Sequence, residues 1–224
     1  KDADIKKAAK DVVIGAFGST GQRCTATSRV IIEQEIYEEF IEKMLIFTKD
    51  LKIGNGIDAD IDIGPLSSLD QLEKVTEYIG LGVEQGGKIL IGGNRLEGEI
   101  FDDGFYVEPT IFVDVDKENI VAKEEIFGPV LISFKVSNLS EALDITNDVD
   151  FGLSSSIYTK DIKQAYKYIN NVDTGMVHVN SPTLGGEVHL PFGGLKSSGV
   201  GHREQGEEGF NFFSELISVY IDHS

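Results

Sequence analysis

Cys24 is the one cysteine in 224 residues, set in Gly21-Gln22-Arg23-Cys24-Thr25. A lone sulfur closes no internal disulfide and lacks the companions of a cysteine-rich metal site. It is either a small packed hydrophobe or a nucleophile, and free cysteine more often packs. The surround shifts that balance, because Gly18, Gly21, Gln22, Arg23, Thr25, Thr27 and Ser28 are small or polar. Such a setting suits a thiol that must meet a substrate, and a cation close by favours its thiolate form.

Two further stretches carry chemical groups. In Glu124-Glu125-Ile126-Phe127-Gly128-Pro129-Val130, Glu125 is placed to accept hydrogen bonds from a ribose diol and Phe127 to pack on a flat ring. Taken alone, the same residues read as a solvated loop entering a strand. Asn180-Ser181-Pro182-Thr183, with residues 191–199, is glycine-rich enough for backbone to run close beside a ligand. Its plain reading is a surface loop.

Other patterns fail on inspection. Asp58, Asp60 and Asp62 resemble half a calcium loop, but positions six and twelve would be Ile63 and Leu69, not glycine and an acid. Turn and capping roles are expected there. Of the four histidines, none belongs to a helical His-Glu-x-x-His arrangement. His178 reads as a satisfied interior residue, and His189 lies beside the third stretch, where a substrate contact is open. Residues 15–21 are glycine-rich but follow a helix, so they are not the dinucleotide fingerprint. No phosphate loop of the Walker kind occurs, and no cofactor-binding fold is evident.

The elements that must hold these groups follow from periodicity. Ile5, Ala8, Ala9, Val12, Val13, Ala16 and Phe17 mark an amphipathic helix, capped by Asp2 or Asp4 and ended by Gly18 and Gly21. Residues 27–33 read as a strand, so Cys24 falls on a helix-to-strand connection. Helices are expected over 35–49, 68–85, 140–147 and 162–170. Strands are expected over 88–92 (short and buried), 110–115, 130–134, 154–159 and 175–180. Residues 54–65 are turn-rich, and 94–106 form an irregular connection or hairpin. The alternation predicts an α/β fold, a mainly parallel sheet covered by helices. Residues 193–201 read as a flexible glycine-rich stretch, 207–213 as a helical turn, and 216–221 as an exposed edge strand seeking a partner.

Bulk properties narrow the partners. The formal net charge is −18, which opposes nonspecific binding to nucleic acid or anionic membrane. No apolar run is long enough to span a bilayer, and no signal-peptide pattern opens the chain. A single cysteine points to a reducing, cytoplasmic setting. The start, Lys1-Asp2-Ala3-Asp4, leads at once into helix pattern and reads as a cut from a longer protein.

Taken in order, Gly21-Gln22-Arg23-Cys24, Glu125-Ile126-Phe127-Gly128-Pro129, and Asn180 with Pro191-Phe192-Gly193-Gly194 through Ser198-Gly199 resemble the aldehyde dehydrogenase superfamily. The resemblance extends to Tyr106-Val107-Glu108-Pro109-Thr110 and Phe151-Gly152-Leu153-Ser154, and so to nearly the whole chain. It implies Cys24 as the nucleophile, with its own N–H as an oxyanion donor. It implies Glu125 on the nicotinamide ribose, Phe127 near the nicotinamide, Phe192 lining the aldehyde tunnel, and Arg23 and Thr25 flanking it. NAD or NADP is the implied cofactor and a small-molecule aldehyde the implied substrate. Residues 1–193 would be the thiol-bearing domain, and 194–224 an extension with an oligomerisation strand for a homo-oligomer. The family's dinucleotide-binding domain, its second oxyanion donor and its general base would lie outside this chain. The isolated chain is therefore expected to be inactive. Arg23 and the residues from 180 to 192 suggest a carboxylate-bearing semialdehyde. The competing readings are a non-catalytic scaffold that keeps the fold, and a cysteine hydrolase, for which the Cys24 neighbourhood offers no base in sequence.

Overall fold

The computed structural model describes residues 1–224. Seven helices are α1 (Ile5–Phe17), α2 (Tyr37–Lys49), α3 (Leu69–Glu84), α4 (Ile120–Lys123), α5 (Leu139–Asn147), α6 (Ile162–Ile169) and α7 (Gly206–Phe212). Eight strands are β1 (Arg29–Glu33), β2 (Lys88–Ile91), β3 (Thr110–Val113), β4 (Val130–Val136), β5 (Phe151–Gly152), β6 (Ser154–Ile157), β7 (Met176–Val179) and β8 (Leu195–Lys196).

Helix starts lie where side chains can satisfy the free N–H groups of a first turn. The Asp4 carboxylate accepts from the Lys7 N–H at 3.0 Å, and Ser68 Oγ from the Gln71 N–H at 3.1 Å. Asn138 and Asp161 do the same for α5 and α6.

The main sheet has the order β1-β4-β3-β2, with β1, β4 and β3 parallel and β2 antiparallel at the edge. Strand β4 is central and buried at every position but Lys135, as a strand covered on both faces must be. Alternate side chains feed two cores. Val30, Ile32, Ile111 and Leu131 pack with α1 and α2. Val130, Ile132, Phe134 and Phe112 pack with α3 through Leu72, Val75 and Ile79. The remaining strands make two smaller pairs, β6 parallel to β7 and β5 antiparallel to β8.

The parallel pairings dominate, as expected, with the strands in one four-stranded sheet and two pairs. Three features depart from the sequence-based expectations. Strand β2 is exposed along most of its length, because it is the antiparallel edge and α3 covers the interior strands instead. The stretch 193–201 is tied down: β8 pairs with β5, and the Arg203 guanidinium bonds Gly194 O. The strand expected over 216–221 does not form. Leu216 and Tyr220 are 105% and 94% exposed, and a lone strand without a neighbouring edge has nothing to bond.

Candidate active site

The connection from α1 to β1 is built to project one side chain. After α1 the chain turns tightly through residues 18–21, where Ser19, Thr20 and Gly21 all have positive φ. A turn closed by the Ala26 N–H on Arg23 O at 3.0 Å then carries Cys24 and Thr25 at its tip. Two side chains clamp it. Gln22 accepts from the Ser67 N–H at 2.9 Å, and Thr183 Oγ1 donates to Thr25 O at 2.8 Å. The Cys24 thiol is exposed, and its N–H makes no hydrogen bond within the chain.

Gly21 is the point of contact with the second loop. With φ +68°, it sits so close to Gly128 that an added Cβ would lie 2.1 Å from the Gly128 carbonyl oxygen. The turn that carries Cys24 and the loop 124–128 thus touch backbone to backbone. Together they line one cleft of about 500 Å³, which takes in Arg23, Cys24, Thr25, Glu125 and Phe127.

The second loop is held from α3. Gln71 Nε2 donates to Ile126 O at 2.9 Å and Phe127 O at 3.0 Å. Lys74 Nζ donates to Glu125 O at 2.9 Å and lies 5.6 Å from the centre of the Tyr78 ring. The Tyr78 hydroxyl donates to the Glu124 carboxylate at 2.5 Å. These bonds hold Phe127 at φ +60°, a left-handed conformation that a residue with a bulky side chain adopts only under constraint. The Glu125 carboxylate itself has no ion pair or hydrogen-bond donor. Sequence reading assigned nothing to Gln71, Lys74 or Tyr78. Their spacing of three and four along one face of α3 was the available signal.

The hydrogen bond to Glu124, with burial and the carboxylate charge behind it, pushes the Tyr78 hydroxyl up from 10.0 to about 12. A folded-state value above the unfolded one means that the Tyr78 contribution to stability is complete below pH 10. It is lost as pH rises to about 12. Tyr78→Phe is expected to remove one late-ionising tyrosinate from an ultraviolet titration of the folded chain. An unchanged titration would place the raised group elsewhere.

Phe192 lies apart from the residues that line this cleft. Its backbone exchanges hydrogen bonds with Glu204 at 2.7 and 2.9 Å, and its ring faces Gly186. His189 is exposed and also absent from the cleft wall. Asn180 is a structural tie, with its side-chain amide bonded in both directions to the Thr159 backbone at 2.9 Å. His178 differs from expectation, because its Nε2 is buried without a partner. Burial holds its pKa below the usual imidazole range. The aspartates of the turn behave as expected: Asp62 accepts from the Lys52 N–H at 2.9 Å, and Asp60 pairs with Lys52 Nζ at 3.0 Å. No helix is long and apolar enough to cross a membrane.

An exposed thiol with a free backbone N–H at its own α-amide, in one cleft with an unpaired carboxylate and an aromatic side chain, can do covalent chemistry on a carbonyl carbon. The fold is a mixed α/β sheet structure with Cys24 on the turn that enters β1. The family model for the aldehyde dehydrogenase family matches residues 1–219, and the chain belongs to that family. It is 47% identical over 220 residues to the alpha-ketoglutaric semialdehyde dehydrogenase of Bacillus subtilis, covering 98% of this chain and 45% of the relative. It is 42% identical over 219 residues to the alpha-ketoglutarate semialdehyde dehydrogenase of Haloferax volcanii, covering 97% of this chain and 45% of that relative. Among solved structures, betaine aldehyde dehydrogenase from Staphylococcus aureus in complex with NAD+ superposes with a TM-score of 0.92 at 32% identity. That match covers 95% of this chain and 42% of the other. The chain thus spans a little under half the length of the curated relatives it matches.

Proposed function

We propose that this chain is the nucleophile-bearing part of an NAD- or NADP-dependent aldehyde dehydrogenase, which oxidises an aldehyde to a carboxylate. The observation that carries this reading is the placing of exposed Cys24 in one cleft with Glu125 and Phe127. The unpaired Glu125 carboxylate fits a sugar diol, and the Phe127 ring fits the flat face of a nicotinamide. The NAD+ complex of the Staphylococcus aureus relative supports that fit.

In this reading the Cys24 thiolate adds to the aldehyde carbon, and the carbonyl oxygen takes the negative charge. The Cys24 N–H, free of internal partners, donates to that oxygen. When bound, the nicotinamide cofactor supplies the hydride acceptor that takes the Cys24 adduct to a thioester. Water then attacks the thioester carbon, releasing the carboxylate and restoring the thiol. Sulfur suits both halves, being strongly nucleophilic and a good leaving group from an acyl carbon.

The substrate proposed is an aldehyde with a carboxylate at its far end. The Arg23 side chain is exposed at the cleft wall, and its Nε donates to Ser19 Oγ at 2.9 Å. No carboxylate of the chain pairs with it, so the guanidinium remains open to an acid group. The names of the Bacillus and Haloferax relatives, both semialdehyde dehydrogenases, agree. Phe192 remains the proposed wall of the aldehyde tunnel, and Thr25 a flanking residue. In an active enzyme carrying this chain, Arg23→Ala is expected to lower kcat/KM for such a semialdehyde by about 10–100-fold, in the range of one lost charged hydrogen bond. A neutral aldehyde of equal length should change little, and equal losses would remove Arg23 from substrate recognition.

We place the enzyme in the cytoplasm, where a lone unpaired thiol persists. The exposed apolar residues of the tail suit a homo-oligomer. Assayed alone, the 224 residues are expected to show no measurable turnover. Glu124 is engaged by Tyr78, Glu125 is assigned to the cofactor, and no other group stands ready to activate water. The lack of a base and of a second oxyanion donor would together lower the rate by on the order of 10⁴ or more. The direct test is mass spectrometry of an active enzyme quenched during turnover. An acyl mass on the Cys24 peptide is expected, and its absence under saturating aldehyde and NAD+ would end this reading.

A further inference from the structure

The end of α5 is a meeting point for cations. The last carbonyls of a helix have no partner within it, and the helix dipole makes that end negative. Here every carbonyl from residue 145 to residue 149 accepts from a basic side chain. The Arg29 guanidinium donates to Ile145 O at 2.9 Å and to Thr146 O at 3.1 Å. Lys196 Nζ donates to Asn147 O at 2.6 Å and to Val149 O at 3.0 Å. Lys123 Nζ donates to Asp148 O, between those two, at 2.9 Å.

The three cations come from distant parts of the chain. Arg29 opens β1, the strand that follows the Cys24 turn. Lys123 ends α4, two residues before Glu125. Lys196 lies in β8. Arg29, Lys123, Thr146 and Val149 all line the cleft that holds Cys24 and Glu125. Lys123 is the best anchored of the loop's basic residues. Its side chain is 25% exposed, and its Nζ also meets the Asp148 carboxylate at 3.1 Å. That carboxylate is held in turn by Lys117 at 2.9 Å. Across the loop, Gln71 and Lys74 bond its carbonyls from α3. The segment that carries Glu125 is therefore strung between α3 and the end of α5, and Arg29 ties the end of α5 to β1.

We propose that Lys123 is a positioning residue: by tying the start of the Glu125 loop to Asp148 O, beside the carbonyls that Arg29 holds, it sets where the Glu125 carboxylate stands relative to Cys24. Lys123 acts through Glu125 in this role and contacts no reacting atom. The inference rests on the reading of Glu125 as the acceptor for the cofactor's ribose diol. Two ties then fix the loop against the Cys24 segment. The contact of Gly21 with Gly128 holds its far end, and the path from Lys123 through α5 to Arg29 holds its near end. A hydrogen bond from an ammonium group is stronger than one between neutral groups, which suits a side chain that must hold a loop in place.

The test is steady-state kinetics of an active enzyme carrying this chain, with NAD+ or NADP+, whichever it reduces, as the varied ligand. Lys123→Met is expected to raise the KM for that cofactor about tenfold, on the scale of one lost charged hydrogen bond. The KM for the aldehyde should stay within about twofold. Lys123→Arg, which keeps the charge and the donor, should restore the parent value. Glu125→Gln is expected to raise the same cofactor KM, and adding Lys123→Met to it should raise it no further, because the two residues act as one unit. If Lys123→Met fails to fold, Lys123→Gln takes its place in the same comparison. A parent-like cofactor KM in the Lys123 variant, alongside a raised one in Glu125→Gln, overturns the positioning role and leaves the ribose reading standing. So do effects that multiply in the double variant, which would make Lys123 a structural residue alone. A parent-like cofactor KM in Glu125→Gln removes the ribose reading, and the role of Lys123 falls with it.

Discussion

Replacing Cys24 by Ser in an active enzyme carrying this chain is expected to lower kcat by about 10⁴-fold or more, the scale on which loss of a covalent nucleophile is felt. Stability should stay within about 0.5 kcal/mol of the parent, because exposed side chains away from caps and cores contribute little to folding. Cys24 is exposed and packs into none of the hydrophobic clusters. The two measurements together separate a nucleophile from a packed hydrophobe. A packed residue would lose stability and keep chemistry, whereas a nucleophile does the reverse. Serine keeps the shape and a hydroxyl but ionises far less readily than a thiol, so it removes the reaction while preserving the turn. An active Cys24→Ser enzyme would refute the covalent route, and an inactive but destabilised one would leave the cysteine as a structural residue.

The second large effect belongs to Gly21→Ala. Two costs combine at this position. A Cβ at φ +68° is strained, and that Cβ would also stand 2.1 Å from the Gly128 carbonyl oxygen and 3.0 Å from the Ala16 carbonyl oxygen. Both neighbours are backbone, so no rotamer change relieves the contact. A loss of about 2–5 kcal/mol is expected from strain and overpacking together, which is a large part of the stability of a typical domain. Chemical denaturation of the 224-residue chain reads this as a fall in the midpoint. An unchanged midpoint would mean that the two loops do not meet as described. In an active enzyme carrying this chain, activity should fall further than stability, because the same contact sets the spacing between Cys24 and the loop of Glu125 and Phe127.

Much of this was legible in the residues. Helices announced by a capping side chain and an apolar stripe lie within two residues of their expected starts, with Asp4, Ser68, Asn138 and Asp161 all acting as caps. The parallel order of β1, β4 and β3 followed from alternation of helix and strand. Burial at an edge was less legible: Lys88 to Ile91 is apolar enough for a core, but which strand ends a sheet depends on what covers it. Long-range ties left the weakest mark. Gln71 reaches Phe127 across 56 residues, and Tyr78 reaches Glu124 across 46. Local patterning places these residues on one helix face without saying what that face meets. The same holds for Gly21, whose role needs Gly128 to be seen, and for Thr183, which ties the starts of β1 and β6. The cleft gathers Arg23, Cys24, Thr25, Glu125 and Phe127 as candidates from two distant stretches, whereas Phe192 stands outside it.

Phe127 stores backbone strain at the wall of the cleft. Its φ of +60° suits glycine better than any aromatic residue. A glycine there would relax the backbone but give up the packing of a half-buried ring and loosen the unfolded chain. The ring would then be gone from the wall beside the thiol. The unfavourable conformation is therefore maintained by neighbours, with Gln71 reaching the Phe127 carbonyl from α3, and not by the residue's own preference.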